Sequence, residues 1–127
     1  MNWKKPLLAT IGYTVITFVI AIIWHMVLFE NLYLSWAYFG ENPGFLFGFL
    51  SILTQGIILS FAYVFLKLSR WKFVGIAGLY HWTIHVLAFM AKAEAARNVG
   101  FFGLETFYLV IQFGLYGVIV GIIWKNK

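Results

Sequence analysis

Residues 45–66 read FLFGFLSILTQGIILSFAYVFL, without one charged side chain. A helix needs about 20 predominantly apolar residues to cross the ~30 Å hydrocarbon core of a bilayer, and this stretch meets that length unbroken. Three further stretches match it, at 6–29, 73–91 and 101–124. Backbone amides in lipid must be paired inside their own segment or in a closed barrel. Barrel strands alternate apolar and polar positions over roughly ten residues, whereas these tracts are longer and apolar on every face. The sequence therefore predicts an all-α integral membrane protein. One domain, 1–127, forms an antiparallel four-helix transmembrane bundle.

Composition agrees. The 127 residues are 63% hydrophobic and 10% charged, with a mean hydropathy of +0.90. A soluble domain carries about 25% charged residues, so too few are present to cover a water-facing surface. The first tract is too long for a removable leader and lacks a small-residue cleavage pattern. With no cysteine, disulfides, thiolate metal sites and thiol catalysis are excluded.

The net charge of +5 is unevenly placed. Lys4 and Lys5 precede the first span, Lys67, Arg70 and Lys72 separate the second from the third, and Lys125 and Lys127 end the chain. The connection after the first span holds Glu30 and Glu41 and no base. Basic loops stay on the cytoplasmic side, which predicts an N-in/C-in topology against the minority vote of Lys92 and Arg97. So distributed, the charge points to a lipid bilayer and not to nucleic acid. A bacterial cytoplasmic membrane is the expected location.

The connections carry their own signals. Tyr33, Trp36, Tyr38 and Phe39 suit an interfacial aromatic belt, so residues 30–44 are expected to form a short helix lying on the outer surface, closed by the 40–44 turn. Trp3, Trp71 and Trp124 mark the inner interface. The tight 68–72 loop predicts that spans two and three are antiparallel neighbours, and the 91–96 run reads as an extension of the third helix. Gly44 with Gly48, and Gly117 with Gly121, form G-x-x-x-G steps that let helices approach closely. They serve either packing inside the bundle or contact with a second copy or a larger membrane complex.

Chemistry in such a chain must use the polar groups within the spans, which are costly in lipid and face the bundle interior. They are His25, Gln55, His81, His85, Glu105 and Gln112. At ~1.5 Å of rise per residue, Glu105, His25 and His85 fall roughly 5–10 Å inside the outer boundary, and His81, Gln55 and Gln112 about 15 Å. Three readings stand for these two layers: polar packing contacts, a proton- or solute-handling path, or a ligand set for a cofactor.

His81 and His85 are four apart and share a helix face, a spacing that can hold one metal ion. Glu105 or His25 would complete a set suited to zinc or non-haem iron. A bis-histidine haem would instead need His25 opposite His81 or His85. The glutamate of H-E-x-x-H is missing, which argues against a metalloprotease, and no nucleophile has a base beside it. Glu105 reads either as a cap at the start of the fourth helix or as a proton carrier coupled to His25 or His85. The aromatic residues, 21% of the chain, suit lipid contact and equally a pocket for a quinone, sterol or carotenoid.

The step Trp24-His25-Met26-Val27-Leu28-Phe29 resembles the end of the first span in short four-span bacterial inner-membrane proteins of uncharacterised families. There a Trp-containing step precedes a Leu-Phe pair. The resemblance implies a four-helix inner-membrane layout and no activity; His25 departs from the pattern. The functional expectation is a non-enzymatic membrane protein, either an accessory subunit or a small-solute transport element. The alternative is a redox protein with zinc, iron or haem held by His81, His85 and His25 or Glu105; the first expectation needs no cofactor.

Overall fold

The computed structural model describes residues 2–125; Lys127, counted among the cytoplasmic bases, lies outside them. Every regular element among the described residues is helical. Four helices are long and apolar enough to cross a membrane: Lys4–Leu28, Phe45–Leu66, Arg70–Lys92 and Val99–Ile123. The largest shift from the expected boundaries is at the third, which begins at residue 70 and not 73.

The first of these is α1 (Lys4–Ile22), which passes into a π-helical turn, Ile23–Leu28. A short α2 (Glu30–Ser35) and a loop lead to α3 (Phe45–Leu66), which stops where Lys67 adopts φ 52°. Then α4 (Arg70–Trp82) runs through a second π turn, Thr83–Ala88, into α5 (Phe89–Lys92). The last helix, α6 (Val99–Ile123), is capped by Asn98, whose side chain accepts the Phe101 N–H at 2.9 Å. Asparagine at this position satisfies a donor that the helix cannot.

Residues Glu105, Tyr108, Leu109, Gln112, Phe113, Tyr116, Gly117 and Val120 are buried along α6. Their alternating spacing of three and one is the core-facing stripe of a helix, and two neighbours pack onto it. Along α1 the partners run in reverse order: Gly12 faces Ile119, Tyr13 meets Tyr116, and His25 meets Glu105. Along α4 they do the same, from Trp71 on Gly117 to Trp82 on Thr106. The remaining helix, α3, lies antiparallel to α1, with Trp3 on Phe61, Thr10 donating to Gly56 O at 3.2 Å, and Phe18 on Phe49.

Three expectations need correcting. Spans two and three touch at their turn, where Tyr63 meets Phe73 at 5.3 Å, but beyond it they part. Beyond Phe73, α4 packs on α6 instead, with Gly78 and His81 against Phe113 and Trp82 donating to Thr106. Residues 91–96 do not extend the third helix: it ends at Lys92, Ala93 is extended, and Glu94–Ala96 is a 3₁₀ turn. Arg97 folds back and donates to Met90 O and Ala91 O at 2.8 and 3.1 Å, satisfying carbonyls that a helix end leaves unpaired. The aromatic connection holds the short helix expected of it, α2, but its rings do not stay at the surface. Tyr33 and Trp36 are buried, 0% and 8% exposed, and Trp36 packs edge-on against Phe101. Residues 29–44 form a strap whose aromatics plug one end of the bundle.

The glycine steps differ from each other. A Cβ at Gly117 would overlap the Trp71 ring and one at Gly121 the Arg70 guanidinium, which itself lies 4.8 Å over the Trp71 ring. This face is filled from within the chain by α4. Gly48, by contrast, faces open space, and Gly44 is the residue preceding α3.

Candidate functional site

A carboxyl buried away from water must find hydrogen-bond partners, and Glu105 has no exposed surface. Its Oε2 accepts the Tyr33 hydroxyl at 2.7 Å and lies 3.0 Å from His25 Nε2. Its Oε1 accepts the Tyr38 hydroxyl at 3.4 Å. Trp24 Nε1–H donates in turn to the Tyr33 oxygen at 2.9 Å. The Tyr38 ring stacks on the His25 imidazole, 4.7 Å between centroids and 3° from parallel, while Tyr33 and Tyr108 meet it edge-on. The cluster thus joins the end of the first span, the strap and α6.

The protons in this cluster can be counted. His25 Nδ1 lies 2.9 Å from Ala21 O. A carbonyl only accepts, so Nδ1 carries a hydrogen. Nε2 and Oε2 then hold one proton between them, as imidazolium with carboxylate or as imidazole with carboxylic acid. Both arrangements have zero net charge, which limits the penalty for burying the pair. On the strap, burial pushes the Tyr33 and Tyr38 hydroxyls above the ordinary value of 10.0, and the neighbouring Glu105 charge adds to the effect. A raised phenol pKa keeps the proton on, so both stay donors through the physiological range.

Both histidines at this end of the bundle lie in π turns, His25 in Ile23–Leu28 and His85 in Thr83–Ala88. Single π turns inside helices recur at functional sites because they shift the hydrogen-bond register and re-aim side chains. At the first, Phe29 N–H reaches back five residues to Trp24 O at 3.1 Å.

Deeper in the bundle, Tyr13 links the two glutamines. Its hydroxyl donates to Gln55 Oε1 and accepts from Gln112 Nε2, each at 2.9 Å, and Gln55 Nε2 donates to Ser51 Oγ at 3.1 Å. His81 takes no part. Its Nδ1–H donates to Ala77 O in its own helix at 2.9 Å, and its ring packs on Phe113.

A cavity of about 260 Å³ separates α1 from α3 beneath the strap. His25, Gln55, His85, Gln112, Tyr38 and Tyr108 contribute to its wall. Four of the six polar residues singled out in the sequence therefore share one space; Glu105 sits behind His25, and His81 lies outside. The His85 ring nitrogens and Gln112 Oε1 have no hydrogen-bond partner among the described residues. A second cavity, about 550 Å³ between α4 and α6, is lined by groups such as Val74, Leu79 and Phe113 and holds no ionisable side chain.

As placed, the histidine rings do not converge on a shared ligand position. His81 and His85 lie parallel, stacked at 5.7 Å and 4°, so their in-plane lone pairs run alongside each other without converging. His25 is engaged at both nitrogens. Among the described residues no three His, Cys, Asp or Glu side chains are grouped to hold a metal ion.

Sequence reasoning found His25 and Glu105 but not the tyrosines that answer them. The available signal was chemical: a buried carboxylate needs donors, and the strap supplies two phenols at its level. No family model, curated protein or solved structure matches this sequence. The Trp24–Phe29 step overlaps, in this fold, the π turn Ile23–Leu28 that presents His25 to Glu105.

Proposed function

We propose that the chain is a four-span integral membrane protein that works as a small-solute binding and transport element and not as an enzyme. One observation carries the reading: the cavity brings His85 and Gln112, both with unused hydrogen-bonding atoms, beside a His25–Glu105 pair that holds a single proton. The four apolar helices support insertion, and the bases near the termini and at Lys67, Arg70 and Lys72 support an N-in/C-in orientation. A bacterial cytoplasmic membrane fits that charge pattern.

In this reading a solute in the cavity pairs with His85 and Gln112, and the His25–Glu105 pair responds to protons. A second proton sits on Glu105 Oε1, because Oε2 accepts from His25 and Tyr33, and it turns the acceptor of the Tyr38 hydroxyl into a donor, so that bond breaks. Glu105 then holds the strap less tightly through Tyr38, and the mouth of the cavity is free to widen. Losing that proton restores the bond.

Liposomes loaded with a pH dye and containing the purified chain test this directly. A panel of small neutral and ionisable solutes is added outside, and at least one is expected to drive proton movement above the protein-free rate. Glu105→Gln, which cannot exchange a proton, should abolish it. Protein-free rates for every solute would leave the polar layers as packing devices.

A further inference from the structure

We infer that the cavity receives the headgroup of a neutral, lipid-borne molecule of the quinone and quinol class, taken in through the flank of the bundle between α1 and α3. The inference rests on the solute-binding reading above and names the ligand.

Charge comes first. No lysine or arginine lines the cavity and the His25 imidazole is spent on Glu105, so no free fixed cation is there to balance an anion. The nearby carboxyl of Glu105 is engaged by His25, Tyr33 and Tyr38, so nothing is left over to balance a cation. The ligand is neutral.

Size and shape narrow it further. At about 30 Å³ per water in the liquid, 260 Å³ equals the volume of roughly nine waters, room for one substituted six-membered ring. The walls are chiefly aromatic and aliphatic, among them Phe18, Tyr108, Ile52 and Leu109. Ligand sites of this kind are mostly apolar, with a few placed polar groups that fix orientation. A flat ring with oxygens at opposite edges matches such a slot. A sugar or an amino acid would leave most of its polar atoms unpaired.

The unused polar atoms suit both redox forms of such a ring. The neutral His85 imidazole has one N–H and one lone pair, so it serves a quinone carbonyl or a quinol hydroxyl. Gln112 Oε1 accepts from a quinol hydroxyl. Binding alone is inferred, without electron transfer.

The way in points to lipid. Every residue from Phe45 to Ser51 is exposed, and a Cβ on Gly48 would meet nothing within 4 Å. Phe45, Gly48 and Ser51 also line the cavity. The opening is therefore on the side of the bundle, beside the first two turns of α3. In a bilayer that side faces acyl chains, so an apolar tail can stay in lipid while its ring enters.

The full chain, purified in dodecyl maltoside, would be titrated calorimetrically with decylubiquinone, with decylbenzene as a tail-only control. Saturable single-site binding is expected for decylubiquinone, undisturbed by excess decylbenzene. Ser51→Trp places a bulky ring at the mouth and should weaken binding at least tenfold, as should His85→Leu. Ile76→Ala, on an exposed face of α4, should bind as the parent does. Should His85→Leu melt at a markedly lower temperature, Ser51→Trp carries the test, because an exposed helical position tolerates the change. Displacement by decylbenzene, or unchanged affinity in Ser51→Trp, would overturn the inference. Solute-driven proton movement in liposomes without decylubiquinone binding would sink it while leaving the solute-binding reading intact. Absence of both removes both.

Discussion

The two ends of α6 are held by different physics. Near its start, Glu105 is fixed by hydrogen bonds from named groups: Tyr33, Tyr38 and the proton shared with His25. Near its end, Gly117 and Gly121 receive Trp71 and Arg70 by shape alone. A carboxyl in an apolar bundle demands specific chemistry around it, and the strap folds inward to supply it. The glycine end asks only that nothing larger than hydrogen occupy two positions. Hydrogen-bond chemistry is concentrated at one end and close packing at the other.

The sharpest way to break this contrast is Glu105→Leu. It removes the acceptor shared by His25, Tyr33 and Tyr38, and taking one partner from a buried charged pair costs about 3–5 kcal/mol. A loss of about 3 kcal/mol or more is expected in mixed-micelle unfolding, together with release of the strap, read as new proteolytic cleavage between Phe29 and Gly44. Glu105→Gln keeps an acceptor and should lose roughly half as much. Parental stability in Glu105→Leu would mean that the strap is anchored elsewhere.

At the opposite end, Gly117→Leu and Gly121→Leu must displace Trp71 and Arg70. Overpacking of this kind costs about 1–3 kcal/mol, and about 2 kcal/mol is expected for each. Because the face is filled from within the chain, oligomer size on gel filtration should not change. A new oligomer size at unchanged stability would show that this step meets a partner.

How much of this was legible in the sequence follows from the same contrast. Apolar length is a one-dimensional property, so all four spans could be read from the run of residues, α3 to the residue. Helix pairing was not: the tight 68–72 loop pointed to contact between spans two and three, but side-chain shape sent α4 to α6. The strap was misread for a related reason. Tyr33 and Trp36 have the amphipathic character of belt residues, and only the demand of a carboxyl 72 positions from Tyr33 turns them inward. Depth counting grouped His25 with Glu105 correctly, since rise per residue is regular. It could not reveal that π turns re-aim His25 and His85, because these turns depend on the surroundings. Tyr13, the link between Gln55 and Gln112, gave no sign among the chain's seven tyrosines.

The smallest effects bear most directly on function. Tyr13→Phe removes a hydroxyl that bonds both glutamines, and interhelical hydrogen bonds in membranes are worth about 0.6 kcal/mol, rarely above 1.7. About 1 kcal/mol is expected in the same unfolding assay. His85→Ala should cost less still, about 0.5 kcal/mol, the range of positions without structural partners, since its nitrogens bond to no described residue. If the cavity is a site, its wall divides into residues that hold the fold and residues that wait for a ligand, and His85 belongs to the second kind. A loss above about 1 kcal/mol for His85→Ala would move the imidazole into the packing of the bundle. The cavity wall would then be as structural as the glycine end, and among the described residues the chemistry would rest with the Glu105 cluster.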